Sequence, residues 1–313
     1  MWDTLASEEL ERPGGVAEAR RAHGSLVNQL AFFVSDLHGH LHRYQALFAA
    51  IQRERPSAVF LGGDLLPHVR QGEGQAAFVN EVLAPGFRDL RASLAEAYPE
   101  VWLILGNDDT RLAESEIKLG EAEDLWRYVQ GRRGQWGSIP VFGYGSVPPT
   151  PFRLKDWERY DVSRYVDPGC ISPEEGWHTV PVDELALRYG TIQKDLELLT
   201  EGEDLDGAIV MLHSPPYDTK LDRAALDGRK IEGVQLDVHI GSIAIRRFIE
   251  ARQPRLCLHG HVHESARITG SWQDRIGRTV LLSAAHDGRE LALVRFDPER
   301  PEEATRELID GGS

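Results

Sequence analysis

The chain has 313 residues, 35 of them basic and 50 acidic, and a formal net charge of −15. It contains no uncharged apolar run of about 18 residues, which excludes a membrane-spanning helix, and its polar start predicts no signal peptide. Two cysteines, Cys170 and Cys257, are too few for a disulfide scaffold or a thiolate zinc cluster and favour a cytoplasmic location. The acidic balance makes a nucleic-acid partner unfavourable, because such binding is largely electrostatic.

The first half of the chain alternates short apolar runs with helical patterns. Residues 1–29 are predicted as a polar lead-in, after which strands are expected at 30–34, 58–61, 101–105 and 139–143. Helices are expected at 44–52, at 75–98 with a break at Pro85 and Gly86, and at 119–130. Continuous apolar runs between helices indicate buried, largely parallel strands.

The second half continues this pattern after a long interruption. Residues 145–181 are rich in Pro, Trp and Tyr, and their aromatic content predicts an ordered insertion beside a site. Helices are expected at 182–200 and, after the N-cap Ser242, at 243–252, with a polar loop at 217–239. Strands are expected at 207–212, 255–258, 278–283 and 290–296, the last two as a possible hairpin. Residues 30–300 then form one domain, followed by a solvated tail at 301–313.

Side chains that can bind metals follow five of the predicted strands directly. They are Asp36 with His38, then Asp64, then Asn107 with Asp108 and Asp109, then His213, and finally His261 with His263. Ligands of open α/β sheets bind outside the carboxyl ends of the strands, so these five segments are expected to converge on one crevice.

The residue types in this set favour divalent metals. Imidazoles and carboxylates without thiolates suit Mn, Fe, Zn, Co or Ni, and the sequence does not choose between them. A shared carboxylate, for which Asp64 is the candidate, can bridge two ions. Two ions about 3.5–4 Å apart can acidify a bridging water and clamp the attacking and leaving oxygens of an in-line displacement at phosphorus.

These strand-end motifs together resemble the calcineurin-like metallophosphoesterase superfamily. The resemblance rests on Asp-x-His at 36–38, Gly-Gly-Asp at 62–64, Gly-Asn-x-Asp at 106–109, the isolated His213 and Gly-His-x-His at 260–263. It implies a four-layer α/β/β/α sandwich with two mixed central sheets and a dinuclear metal site at the strand C-termini. By position, Asp36, His38, Asp64 and His263 would hold one ion. Asp64, Asn107, His213 and His261 would hold the other.

One position departs from the family pattern. Asp108 stands where members usually carry a histidine that binds phosphate and protonates the leaving oxygen. Asn107 and Asp108 are therefore the candidate catalytic residues, while the source of the proton stays open. The unplaced candidates for it are His40, His68, His178, His239 and His286. General acid–base assistance contributes about 10²–10⁴-fold, so this substitution bears directly on the rate.

The leading hypothesis is a metal-dependent phosphoester hydrolase, in which a metal-bridging hydroxide attacks a small phosphomonoester or phosphodiester. The alternatives are a weak or inactive metal-binding scaffold for a protein partner, which Asp108 favours, and a nuclease of the same superfamily. The oligomeric state is not predicted. Three further expectations are structural. His259 is a structural histidine, Asp109 orients a metal-bound histidine, and the aromatic residues of the insertion form local core.

Overall fold

The computed structural model describes residues 29–68 and 74–311. The predicted lead-in therefore lies outside the described residues, apart from Gln29. None of the helices in the described ranges has the length and apolar character needed to cross a membrane. Both cysteines are free thiols, and the cytoplasmic location that they favour stays a prediction.

The first of two six-stranded sheets is built around the first three predicted strands. Its spatial order is β14-β13-β1-β2-β3-β4, with β1 to β4 parallel and β13 and β14 antiparallel to their neighbours. The bounds are β1 Ala31–Val34, β2 Ala58–Gly62, β3 Glu100–Ile104, β4 Arg127–Tyr128, β13 Leu291–Phe296 and β14 Thr305–Ile309.

The second sheet has the order β11-β12-β10-β7-β6-β5, in which the four inner strands are parallel and the two edge strands antiparallel. Its strands are β5 Arg132–Trp136, β6 Ile139–Tyr144, β7 Ile209–Leu212, β10 Leu256–His259, β11 Gln273–Ile276 and β12 Thr279–Ser283. A short hairpin of two strands with two residues each, β8 Lys230–Ile231 and β9 Val234–Gln235, is separate from both sheets.

Eight α-helices complete the described part of the chain. They are α1 Leu41–Glu54, α2 Gly74–Phe78, α3 Ala84–Leu94, α4 Glu114–Ala122, α5 Glu184–Tyr189, α6 Ile192–Leu199, α7 Ile243–Arg252 and α8 Ser265–Thr269. The predicted N-cap of α7 is confirmed, since Ser242 Oγ accepts the amide proton of Ile245.

Alternating side chains of each strand separate the interior into three apolar cores. Phe33 of β1 and Met211 of β7 belong to the core between the two sheets. Phe32 belongs to the core that joins the first sheet to α1 and α3, and Val210 to the core that joins the second sheet to α6 and α7. Strand side chains point to opposite faces in turn, so both sheets are covered on both faces. The predicted four-layer α/β/β/α architecture with two mixed sheets is confirmed.

Several local predictions are corrected. The helix expected to break at Pro85 continues through it, because a wide π turn at Val79–Leu83 precedes Pro85, which lies in the first turn of α3 where a proline N–H is not needed. The helix expected at 119–130 ends at Ala122, and the chain then adds β4 to the first sheet. The helix expected at 182–200 is two helices, since Thr191 caps a new one by accepting the amide proton of Lys194.

The C-terminal predictions also change. The strands at 278–283 and 290–296 do not form a hairpin, because β12 pairs with β10 and β11 while β13 pairs with β1 in the other sheet. Residues 301–311, expected as a solvated tail, form a 3-10 turn and the edge strand β14. The side chains of β14 are mostly exposed, so no apolar pattern predicts this strand. It is held by backbone pairing with β13, by Ile309 against the first core and by the ion pair of Glu307 with Arg295.

Candidate metal centre

Four of the predicted metal-binding residues have a left-handed backbone. The φ angles of Asp36, His38, Asp64 and His261 are 56°, 46°, 51° and 71°. This conformation costs about 1–3 kcal/mol for a residue with a side chain and persists where the surroundings enforce it, commonly at functional sites. Here the amides of Asp36 and His38 donate to the carbonyls of Gly63 and Asp64, each at 2.9 Å, which ties the loop after β1 to the loop after β2.

A first cluster joins the loops after β1, β2 and β10. One potential ligand atom of each of Asp36, His38, Asp64 and His263 lies within 4.8 Å of the others. His263 Nε2 is 3.1 Å from Asp36 Oδ1 and 3.2 Å from His38 Nε2. Two imidazole nitrogens and a carboxylate oxygen directed at one point are the donor set of a divalent cation.

A second cluster shares one residue with the first. Asp64, His213 and His261 also place a ligand atom each within 4.8 Å of one another. Asp64 Oδ2 lies 3.3 Å from His213 Nε2 and 4.0 Å from His38 Nε2, so a single carboxylate oxygen faces both clusters. Asp64, the carboxylate that the sequence suggests as shared, therefore belongs to both clusters.

Three buried polar atoms of the site form no hydrogen bond within the described residues, namely His38 Nδ1, His213 Nε2 and Asn107 Oδ1. An unsatisfied buried polar atom costs about 1–3 kcal/mol, so each needs an explanation. His213 Nε2 and Asn107 Oδ1 are atoms that the predicted ligand set directs at a cation, and the residues present therefore fit a metal.

The His213 ring is held in the tautomer that a metal requires. Its Nδ1 lies 2.8 Å from the carbonyl oxygen of Gly62, which can only accept a hydrogen bond. The proton therefore resides on Nδ1, and the Nε2 lone pair is left for the ligand position.

Glycines allow the strand ends to approach the site closely. A Cβ on Gly106 would lie 2.3 Å from Asp64 Oδ1 and 2.6 Å from His213 Nε2, and a Cβ on Gly260 would lie 2.6 Å from Asp36 Oδ2. These contacts are too short for any side chain, so the glycines of the two motifs are required by packing against the candidate ligands.

Asp109 is buried and has a different role from the expected one. Its carboxylate accepts amide protons from Leu65 at 3.2 Å, Leu66 at 2.8 Å and Gly106 at 2.9 Å. It therefore orients two strand-end loops and not a histidine. Burial, followed by the nearby charge of Asp64, raises the pKa of Asp109 to about 7 despite these amides.

Arg43 is a further residue of the site, and the sequence reasoning missed it. Its buried guanidinium donates to the carbonyls of Asp36 and Gly288, each at 2.5 Å, and to that of Arg289 at 3.3 Å. It supports Asp36 from behind and joins it to the loop before β13. The available signal was weak, namely a charged residue in the first turn of α1, next to the core-facing Tyr44.

Asp108 contacts two histidines at the mouth of the site. Its backbone amide donates to Asp64 Oδ1 at 2.8 Å, and its side-chain Oδ2 lies 3.2 Å from His38 Nδ1. The same oxygen contacts His68 Nδ1, and the His68 ring stacks on His38 with centroids 4.3 Å apart. The hydrogen bond to Asp108 raises the pKa of His68 against the effect of burial.

The other histidines considered from the sequence lie apart from the two clusters. His239 is bonded to Asp222, His286 to Glu290, and His178 to the carbonyl of Pro173. His259 is fully buried with Nδ1 on the carbonyls of Leu212 and Ser214, in agreement with the predicted structural role. His40 is the N-cap residue of α1.

The insertion is ordered and packs beside the site. Asp156 accepts amide protons from Thr179 at 2.8 Å and from Arg111 at 2.7 Å, which joins the insertion to the segment after Asp109. Trp157 and Tyr160 are buried, as expected for local core. The expectation is wrong for Tyr165 and Trp177, whose side chains are exposed at the surface of the insertion.

The loop at 217–239 borders the site from the other side. The amide of Ala225 donates to the carboxylate of Glu264, the residue after His263. A Cβ on Gly169 of the insertion would meet the side chain of Ile231 in this loop, so the two segments touch. Both segments are therefore placed to shape access to the clusters.

Comparison with known proteins agrees with this architecture. The model of the family described as calcineurin-like phosphoesterase matches residues 31–265. TT1561 of Thermus thermophilus is 18% identical, with a TM-score of 0.55 over 90% of this chain and 98% of that one. A second crystal structure is 13% identical, with a TM-score of 0.57 over 90% and 99%. At these identities the likeness shows the fold alone.

A dimetal phosphatase from Danio rerio is also similar, at 11% identity and a TM-score of 0.45 over 91% of this chain and 97% of that one. None of the curated proteins matches the chain.

Proposed function

Since the chain belongs to the calcineurin-like phosphoesterase family, we propose that it hydrolyses small phosphomonoesters or phosphodiesters with the help of two metal ions. Asp36, His38, Asp64 and His263 hold one ion in this proposal. Asp64, Asn107, His213 and His261 hold the other. The metals remain Mn, Fe, Zn, Co or Ni, because the donor set of nitrogen and oxygen atoms suits all of them.

One observation carries the proposal. Asp64 Oδ2 faces an imidazole nitrogen of each cluster, at 3.3 Å from His213 and 4.0 Å from His38. Protonation of the His213 ring would satisfy both Asp64 and His213 Nε2, but it would leave Asn107 Oδ1 without a partner within the described residues. One cation held by each cluster would give all of these atoms a partner.

When bound, two cations supply an acidified water and neutralise charge on the phosphoryl oxygens. The protein's own residues do the rest. Arg43 and Asp109 hold the strand-end loops by hydrogen bonds to their carbonyl and amide groups. The insertion and the loop at 217–239 border the site and limit the size of the substrate. The net charge of −15 favours small esters over polyanions.

The test is hydrolysis of a chromogenic aryl phosphate and its bis-ester with each of the five metals. We expect turnover that depends on metal and that falls by at least about 100-fold in Asp64→Asn and His213→Ala, since each removes a donor of the cation site. The matched control is His286→Ala, which removes an imidazole bonded to Glu290. If the protein hydrolysed neither substrate with any of the five metals, the proposal would be refuted.

The same assay separates the alternatives. A non-enzymatic scaffold, which Asp108 in place of the family histidine favours, binds two ions without turnover and gains activity in Asp108→His. A nuclease cleaves single-stranded or nicked DNA with Mn²⁺ faster than the small esters.

A further inference from the structure

We propose that His68 is a catalytic residue that contacts the leaving-group oxygen of the substrate, and that Asp108 is the positioning residue that holds it there. This inference rests on the proposed function. In the family, the histidine that protonates the leaving oxygen follows the Gly-Asn motif, where this chain has Asp108. The proposal gives that role to His68, which lies in the loop after β2, four positions after Asp64.

The first support is the contact between His68 and Asp108. His68 Nδ1 is hydrogen-bonded to Asp108 Oδ2. The amide of Asp108 in turn donates to Asp64 Oδ1 at 2.8 Å. The carboxylate that would repel a phosphate on its own is thus engaged by a histidine. The pair is also tied to the residue that both clusters share.

The second support is the orientation of the ring. His68 stacks on His38 with centroids 4.3 Å apart and an interplanar angle of 22°. Its ring is therefore held at one edge by Asp108 and on one face by a candidate metal ligand. The side chain is nevertheless 60% exposed. Because Nδ1 is engaged, Nε2 is the nitrogen left for a substrate in the crevice.

The third support is the placement of the other candidate histidines. His178, His239 and His286 are bonded to groups outside the two clusters. Of the five histidines left open by the sequence, only His68 takes part in a cluster of metal-ligand type, with His38 and Asp108, in the described ranges.

The step is balanced without a co-reactant. The oxygen of the attacking water joins phosphorus, the bond from phosphorus to the leaving oxygen breaks, and His68 gives the proton on Nε2 to that oxygen. The water releases one proton to solvent, and His68 takes up one from solvent. An alkoxide needs this proton far more than a stabilised aryl oxide, so the contribution of His68 depends on the leaving group.

The experiment compares an aryl ester and an alkyl ester of the same phosphate class, with the metal-loaded protein. We expect His68→Ala to lower kcat for the alkyl ester by about 100-fold or more, and for the aryl ester by less than about 10-fold. His68→Phe keeps a ring to stack on His38 without a nitrogen, and it should show the same selective loss. Adding Asp108→His to His68→Ala returns an imidazole from the neighbouring loop and should recover part of the alkyl activity.

Three results would overturn the inference while leaving the proposed function standing. They are an equal loss on both esters, alkyl activity retained in His68→Phe, and a loss of bound metal in His68→Ala. His286→Ala, which removes an imidazole bonded to Glu290, is the matched control and should change neither ester. A wild-type protein without metal-dependent turnover of the aryl ester would instead refute the proposed function, and this inference with it.

Discussion

His263 Nε2 lies 3.1 Å from Asp36 Oδ1, although the two residues are separated by 227 positions in the chain. Asp36 also accepts the backbone amide proton of His261 at 3.0 Å, so the first and the last motif meet at one carboxylate. The meeting occurs because β1 and β10 belong to the two facing sheets and end at the same edge of the sandwich.

Metal content should distinguish the two clusters. Among the described residues, Asp64 is the one carboxylate that both clusters share, so we expect Asp64→Asn to lose both ions. Asp36→Asn should lose the ion of the first cluster and keep the second. The measurement is elemental analysis after equilibration with Mn²⁺ and gel filtration. Asp89→Asn, on the exposed face of α3, is the control. Equal metal content in Asp64→Asn and wild type would refute the shared site.

Gly106→Ala should distort the candidate metal centre. The new Cβ would lie 2.3 Å from Asp64 Oδ1, 2.6 Å from the backbone nitrogen of Asp64 and 2.6 Å from His213 Nε2, so the candidate ligands and the loop after β2 must shift. We expect metal affinity to fall by about 10–100-fold, the range found when ligand orientation is disturbed. Gly74→Ala is the control, because its Cβ would meet nothing within 4 Å. Calorimetric titration with metal measures both, and unchanged affinity in Gly106→Ala would contradict the close packing.

Arg43→Met tests the support behind Asp36. The substitution leaves the carbonyls of Asp36 and Gly288 without this donor, whereas the carbonyl of Arg289 keeps its contact with His42 Nε2 at 2.6 Å. Hydrogen bonds to a charged group are worth about 1.5–3 kcal/mol each. We expect a lower free energy of unfolding and weaker binding of the first ion. Denaturant unfolding and metal titration measure these two effects. Arg53→Met, at an exposed position of the same helix, should change neither the free energy of unfolding nor metal binding. An equal effect of both substitutions would contradict the supporting role of Arg43.

A buried ion pair should hold the insertion in place. Lys155 Nζ lies 2.5 Å from Glu158 Oε2, and both side chains are fully buried. Removing one partner strands a buried charge, at a cost of about 3–5 kcal/mol, whereas removing both costs less. We therefore expect Lys155→Met and Glu158→Gln each to be less stable than the double variant, as measured by thermal unfolding. The exposed pair Arg127 and Asp124 is the control, with an expected effect below about 1 kcal/mol.

The stability that Glu174 contributes to the insertion should be lost in acid. Hydrogen bonds from Tyr160, then Arg188 and Arg164, lower the pKa of Glu174 from its usual 4.5 to about 2. A carboxyl with a depressed folded-state pKa stabilises the fold above its unfolded pKa, and this stabilisation is lost as the pH falls from about 4.5 towards 2. Glu174→Gln should flatten this part of the stability–pH curve. Glu175→Gln removes a carboxylate bonded to Ser172 and serves as the control. Parallel curves for wild type and Glu174→Gln would contradict the assignment.

The strands that carry the motifs could be predicted because each is a continuous apolar run ended by polar residues. This pattern located β1, β2, β3, β7 and β10 and the candidate site residues after them. The strands β4, β5, β11 and β14 have no such run, since most of their side chains are not buried and backbone pairing contributes much of what holds them. The strands β12 and β13 were expected to form a hairpin because they are neighbours in sequence. Their actual partners, β10 and β1, are distant in sequence and follow from the tertiary fold.

The residue types of the candidate site could therefore be predicted from the sequence, because they stand at the ends of apolar strands. The family model and the observed sheets agree with that local pattern. The tertiary structure alone decided which atoms meet. It set Asp64 Oδ2 between His38 and His213, Arg43 behind Asp36, and His68 against Asp108. The physical reason is that spacing along a strand determines on which face of the sheet a side chain lies, whereas contacts between loops depend on how the two sheets pack.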